Sequence, residues 1–138
     1  MRITVDTNLL ISATFWYGDS NKIIEKVEKK EIELVLSKEI LDEFRDVLDY
    51  DEIKEKIKKK NLEMIWTVEK VRELSTIIEP SEKLKVVKDD PDDDKIIECA
   101  KSGKVDFIVS SDNHLLKLKS YENIKILPPS DFLKQLPK

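Results

Sequence analysis

Hydrophobic and polar positions along the chain follow two alternating periods. Five short runs have strand length and carry mainly apolar or β-branched residues: RITV at 2–5, ELVL at 33–36, TII at 76–78, FIVS at 107–110 and IKIL at 124–127. Between them the apolar residues recur at helical spacing. Residues 8–15 predict a first helix, and 21–30 a second with Ile23, Ile24 and Val27 as its apolar side. Ser37 stands where an N-cap would begin a helix over 38–49, whose Ile40, Leu41, Phe44, Val47 and Leu48 share one arc. Residues 51–59 and 61–75 predict two more helices, the latter carrying Leu62, Ile65, Trp66, Val68, Val71 and Leu74. The segment LKVV at 84–87 fits a strand or a loop equally. Asp92 or Asp93 is placed to cap a helix running to about 102, and Gly103 to end it. Pro128-Pro129 breaks the chain, and Ser130 is placed to start a short final helix.

Strands alternating with helices predict a parallel sheet covered on both faces. The expected fold is therefore a three-layer α/β/α domain over residues 1–138, with a mainly parallel sheet of about five strands. In such folds ligands bind beyond the carboxyl ends of the strands, where strand order reverses. That edge is where chemistry-bearing residues should be sought.

Composition narrows the chemistry. Net charge is −4 and the pI about 5.2, which disfavours a broad basic face for duplex DNA. One cysteine, Cys99, and one histidine, His114, exclude internal disulfides and thiolate or histidine-rich metal sites. Two glycines, Gly18 and Gly103, are too few for a phosphate-binding or dinucleotide-binding loop. The N-terminus has no basic segment ahead of a long apolar run, and no apolar stretch approaches the roughly 18 residues that span a membrane. A cytoplasmic location is expected, with no membrane partner. Charge is carried mostly by Lys and Glu with only three Arg, a balance enriched in hyperthermophile proteins.

Carboxylates supply the candidate chemistry. Two strands run directly into aspartates, ITV into Asp6 and FIVSS into Asp112, so both should lie at the carboxyl edge of the sheet. A third belongs to KDDPDDDKII at 88–97, near the start of a helix, where partial positive charge tolerates an anion. On a wheel of about 100° per residue, Glu43 lies about 40° beyond Val47, at the margin of the buried arc of 38–49. Glu39, Asp42, Asp46 and Asp49 point further out. Carboxylates aimed at one place repel unless a cation sits among them, and hard divalent ions prefer such oxygen ligands. Two such ions can activate a water and stabilise the leaving oxygen of a phosphodiester.

The segments VDTNLLIS, SKEILDEFRDVL, DPDDDKIIECA and VSSDNHLLKL, in that order and spacing, resemble a PIN domain across nearly the whole chain. The resemblance is to the small prokaryotic members that act as toxins in VapBC-type toxin–antitoxin pairs. It implies Mg²⁺- or Mn²⁺-dependent cleavage of single-stranded RNA, a cognate antitoxin protein and a homodimer. Carried over by position, the family's metal-binding and catalytic acids fall on Asp6, Glu43, Asp94 and Asp112, with Asn8 and Ser111 in support. Asp94 precedes Lys95-Ile96-Ile97, which matches the family's Asp-x-apolar-apolar run; Asp93 is the rival ligand. Asp92 would then cap the helix, and Asp89 and Asp90 would be solvated. Ser110 stands where the family more often has Thr.

Other readings remain open at this level. A haloacid-dehalogenase-like phosphatase needs Asp-x-Asp after the first strand, where this chain has Asp6-Thr7-Asn8. A response-regulator receiver would have paired acids there. A PIN-like module that binds RNA or a partner without cleaving is the main non-enzymatic alternative. His114 reads as a turn residue beside the site, and Cys99 as a small core residue. Phe15-Trp16-Tyr17 reads as core, base-stacking platform or partner patch. The lysines of EKIKKKN (54, 56, 58, 59 and 60) are the densest basic patch.

Overall fold

A computed structural model describes residues 1–60, 64–88 and 90–137. Leu62 and Asp89 lie outside the described residues, as do the side chains of Ile65 and Trp66. The elements alternate as the hydrophobic pattern requires. Strand β1 (Arg2–Val5) leads into α1 (Thr7–Phe15) and α2 (Asp19–Glu28). Strand β2 (Glu33–Ser37) leads into α3 (Lys38–Leu48), α4 (Asp51–Lys59) and α5 (Met64–Leu74). Strand β3 (Ser75–Ile78) is followed by a long loop, a 3-10 turn (Pro91–Asp93) and α6 (Asp94–Ser102). The chain closes with β4 (Phe107–Val109), α7 (Asn113–Leu116), β5 (Ser120–Tyr121), β6 (Ile124–Leu127) and α8 (Pro129–Lys134).

The sheet order is β3-β2-β1-β4-β6-β5, and every pairing is parallel except β5 with β6. The connections β1 to β2 and β2 to β3 advance one way, and β3 to β4 returns across β1. Right-handed crossovers then put α1–α5 on one face and α6 on the other. This is a three-layer α/β/α fold. The central strands are buried on both faces, with Ile3, Val5, Val35, Leu36, Ile108 and Val109 all at 0% exposure, as parallel strands covered by helices must be. Strand order reverses between β1 and β4, so the crevice beyond their carboxyl ends is the expected ligand position.

Several local expectations change. The sheet has a sixth strand: β5 forms a hairpin with β6 across Glu122-Asn123. No Asn-Gly or Asp-Gly signals that turn; Glu122 takes the left-handed conformation instead, at φ 53°. Residues 84–87 form no strand. The last helix begins at Pro129, whose fixed φ and missing N–H suit a first helical position. Gly103 does end α6, but at φ −81° it does not adopt the left-handed state; Lys104 does, at φ 52°. Glycine is required there for closeness. A Cβ on Gly103 would lie 2.7 Å from Val35 Cγ1 and 2.9 Å from the Cys99 carbonyl oxygen. Ser37 caps α3 as expected, its hydroxyl accepting from the Ile40 N–H at 3.3 Å.

Candidate metal centre

The register of β1 against β4 builds the first half of the site. Val5 pairs with Val109, so Asp6 and Ser110 leave the sheet side by side, each one residue past the paired valines. Asp6 caps α1, its Oδ1 accepting from the Leu9 N–H at 2.9 Å. The Ser110 hydroxyl donates to the other carboxylate oxygen, Asp6 Oδ2. The same Ser110 oxygen accepts from the Asp112 N–H at 2.9 Å, and Asp112 Oδ1 accepts from the His114 N–H at 2.8 Å, capping α7. Asp6 is only 5% exposed. Burial pushes its pKa above the ordinary carboxylate value, the Ser110 and Leu9 hydrogen bonds oppose that shift, and the charges of Asp112 and Glu43 add to it.

The second half comes from the acidic loop. Pro91 opens a 3-10 turn, and Asp90 caps it by accepting the Asp92 N–H at 3.3 Å. A 3-10 helix has about three residues per turn, so Asp90 and Asp93 fall on one side of it. Both reach Asp112. Ligand atoms of Asp90, Asp93, Asp112 and His114 lie within 4.8 Å of one another. His114 Nδ1 is 3.5 Å from Asp112 Oδ1 and 3.7 Å from Asp90 Oδ2. The Asp93 carboxyl is pushed up to about 8, first by burial, then by its hydrogen bond with Asp112 and by the charges of Asp112, Asp90 and Asp6. Its Oδ2 is buried and has no hydrogen-bond partner among the described residues.

Asp6, Asp93 and Asp112 are thus brought together, and Glu43 lies close enough for its charge to act on Asp6. Glu43 is half-buried on α3 and ion-paired with Lys95 of α6. Asp94 is not brought to the cluster. Its Oδ1 accepts the backbone N–H groups of Val86 and Val87, at 2.9 and 2.8 Å, and so ties the 84–87 loop to the start of α6. Asn8 and Ser111 are exposed beside the site. The serine that orients the acids is Ser110, which is fully buried.

Asp90, expected to be solvated, and His114, expected to be a bystander in a turn, both face Asp112. Asp92 is exposed and caps nothing; Asp93 holds the N-cap position of α6 without a side-chain capping bond. The i, i+3 spacing of Asp90 and Asp93 around Pro91 was the available sign that these two act together.

The donor set is three carboxylates and one imidazole, with Asp6 beside them. Oxygen-rich ligands suit hard divalent cations, and one imidazole is compatible with Mn²⁺. A buried carboxylate oxygen without a donor is also what a cation would satisfy. The residues therefore fit a divalent ion. The chain matches the PIN domain family over residues 2–114. It belongs to that family. No curated protein and no solved structure matches the chain. PIN domains are generally metal-dependent nucleases, and the acidic cluster of this PIN domain could hold the metal. No helix among the described residues is long and apolar enough to cross a membrane.

Proposed function

We propose that this PIN domain is a Mg²⁺- or Mn²⁺-dependent endoribonuclease that cuts single-stranded RNA, and that it serves as the toxin of a toxin–antitoxin pair. The observation that carries the nuclease reading is the buried, unpartnered Asp93 Oδ2 amid Asp6, Asp90 and Asp112 at the switch point of the sheet. Asp6, Asp93 and Asp112 are the proposed ligands, with Asp90 and His114 at the rim. Of the two rival positions in the acidic loop, we propose Asp93 as the ligand, because Asp94 Oδ1 is taken up by the Val86 and Val87 N–H groups. Asp6, Asp93 and Asp112 would hold a divalent ion, which would supply charge neutralisation and Lewis acidity towards a water and a phosphodiester.

The protein's own groups preorganise that site. Leu9 and Ser110 fix both oxygens of Asp6, while the Asp112 N–H donates to the Ser110 hydroxyl and Asp112 Oδ1 accepts the His114 N–H. Such outer hydrogen bonds hold ligands in orientation. Burial and the neighbouring carboxylates favour the protonated form of Asp93, and a bound cation would favour the ionised one. Lys95 neutralises Glu43 at the edge of the cluster. A neighbouring cleft of about 620 Å³ carries four lysines (83, 85, 88 and 95) and four acids (Glu39, Asp92, Asp94 and Glu98), so its charge is balanced, and Lys83 and Lys95 are already ion-paired with glutamates.

The test is cleavage of a fluorescent single-stranded RNA. Cutting should require Mg²⁺ or Mn²⁺, stop in EDTA and fall at least a hundredfold in Asp6→Asn and in Asp112→Asn. The double variant should be little worse than either single one, because these residues act as a unit. Cutting that persists in EDTA would overturn the reading; metal-independent binding without cutting would leave an RNA-binding module. The toxin role is tested by co-expressing a small protein encoded next to this one. It should relieve growth arrest and bind the PIN domain, which we propose works as a homodimer.

A further inference from the structure

We infer that the exposed aromatic pair Trp16-Tyr17, together with the lysine-rich last turn of α4, is a binding surface for single-stranded RNA, remote from the metal centre and holding the strand beside it. This rests on the ribonuclease reading above for the identity of the ligand. The aromatics and the lysines are far apart in sequence, and the fold joins them. Lys56 Nζ stands 4.0 Å from the centroid of the Trp16 ring. Buried Phe15 meets Trp16 edge-on, with centroids 6.0 Å apart and planes at 76°. The indole is thus held in place on two sides yet remains 50% exposed, and Tyr17 beside it is 83% exposed.

Large exposed aromatics at a held orientation are costly to leave in water and suit a flat partner. Lys59 and Lys60 follow Lys56 by three and four residues, so they extend the basic strip along the same side of α4. Lys58 and Lys59 are exposed, and after Glu55 no acid interrupts the helix. On a chain of net charge −4 this is a local positive patch, complementary to phosphate. Lysine is depleted from protein–protein interfaces, whereas aromatics flanked by lysines are the usual means of holding single strands. That favours RNA over a protein partner.

The link to the metal centre is geometric. Asp6 is the N-cap of α1 and Trp16 its C-cap. At about 1.5 Å per residue the two are separated by about 15 Å along one rigid rod. A strand stacked on Trp16 and Tyr17 would have to run a few nucleotides to reach the carboxylates.

The experiment measures binding of a fluorescein-labelled single-stranded RNA to the full chain in EDTA. It also measures KM and kcat with Mn²⁺ for a dinucleotide and for a longer strand. Trp16→Ala, Tyr17→Ala and the pair Lys59→Glu/Lys60→Glu should each weaken binding of the longer strand about tenfold or more. They should raise its KM while leaving kcat, and should not change KM for the dinucleotide. Trp16→Phe should restore most of the affinity, and Lys125→Ala, exposed on β6, should match wild type.

Tyr17 is almost fully exposed, so its replacement does not endanger folding. Unchanged binding and KM for the longer strand in all three variants would overturn the inference. So would unchanged RNA binding accompanied by a changed oligomeric state in light scattering, which would make the patch a protein contact. Should wild type bind RNA through Trp16 but cut nothing, the ribonuclease reading fails and the surface stands.

Discussion

Asp93 and Asp94 are adjacent, chemically identical and predicted to respond to the same substitution with opposite signs. In metal-free protein burial and the neighbouring acids push the Asp93 carboxyl up to about 8 from an ordinary 3.8. At about 1.4 kcal/mol per pH unit that sets a ceiling of about 6 kcal/mol. Asp93 is partly open to water, and screening reduces such a term, so about 2 kcal/mol is the working figure.

The sign follows from proton binding. The native state holds this proton more tightly than the unfolded chain. The Asp93 contribution should therefore be most favourable below about pH 4, decline as pH rises towards about 8, and level off above it. Asp93→Asn cannot ionise and should lose this slope. At pH 8 it should melt about 6 to 8 °C above wild type, taking roughly 3 to 4 °C per kcal/mol for a domain of this size. Near pH 4 the two should converge.

Asp94→Asn should do the reverse. Its Oδ1 accepts two backbone N–H groups, one of them from buried Val87. Replacing the charged acceptor by a neutral amide should cost about 1 to 2 kcal/mol and lower the melting temperature by about 3 to 8 °C. Differential scanning calorimetry with and without Mn²⁺ gives both readings. Wild type and Asp94→Asn should gain stability from the ion by mass action, and Asp93→Asn should not. A stabilised Asp94→Asn that loses the Mn²⁺ shift would refute this division of roles.

Three further outcomes are expected. Ser110→Ala removes the donor to Asp6 and the acceptor of the Asp112 N–H; calorimetric titration should show Mn²⁺ affinity reduced at least about tenfold. Because Asp93 must lose its proton to bind a cation, apparent Mn²⁺ affinity should climb from pH 6 to about 8 and level above that, and a flat profile would count against Asp93 as a ligand. Gly103→Ala places a methyl 2.7 Å from Val35 Cγ1 and should cost about 1 to 3 kcal/mol in urea unfolding without changing Mn²⁺ affinity.

Much of the architecture was legible because long-period signals are redundant. The buried strand runs, the Ser37 cap and the apolar arc of α3 each specify an element without outside help. The antiparallel β5 was not legible, since its turn uses a strained Glu122 in place of glycine. Helix α7 spans only Asn113–Leu116 and offers too few residues for a period to show. The positions of Asp6 and Asp112 at the sheet edge follow from strands that run straight into aspartates.

The acidic loop resisted because its residues differ only in direction. A 3-10 turn ahead of α6 rotates Asp93 inward and leaves Asp94 to bind the 86–87 backbone. That choice depends on a loop with no period of its own. The sequence does not distinguish the roles of Ser110 and Ser111 for a similar reason: which serine faces Asp6 is set by the β1–β4 register.

The central claim is that Asp6, Asp93 and Asp112 converge on one divalent-ion position. Crystals grown with Mn²⁺ and measured for anomalous scattering test it most directly. The account predicts a manganese peak within coordination distance of carboxylate oxygens from Asp93 and Asp112, beside Asp6, with the Val86 and Val87 N–H groups still bound to Asp94. A peak coordinated by Asp94, with Asp93 turned to solvent, would contradict it.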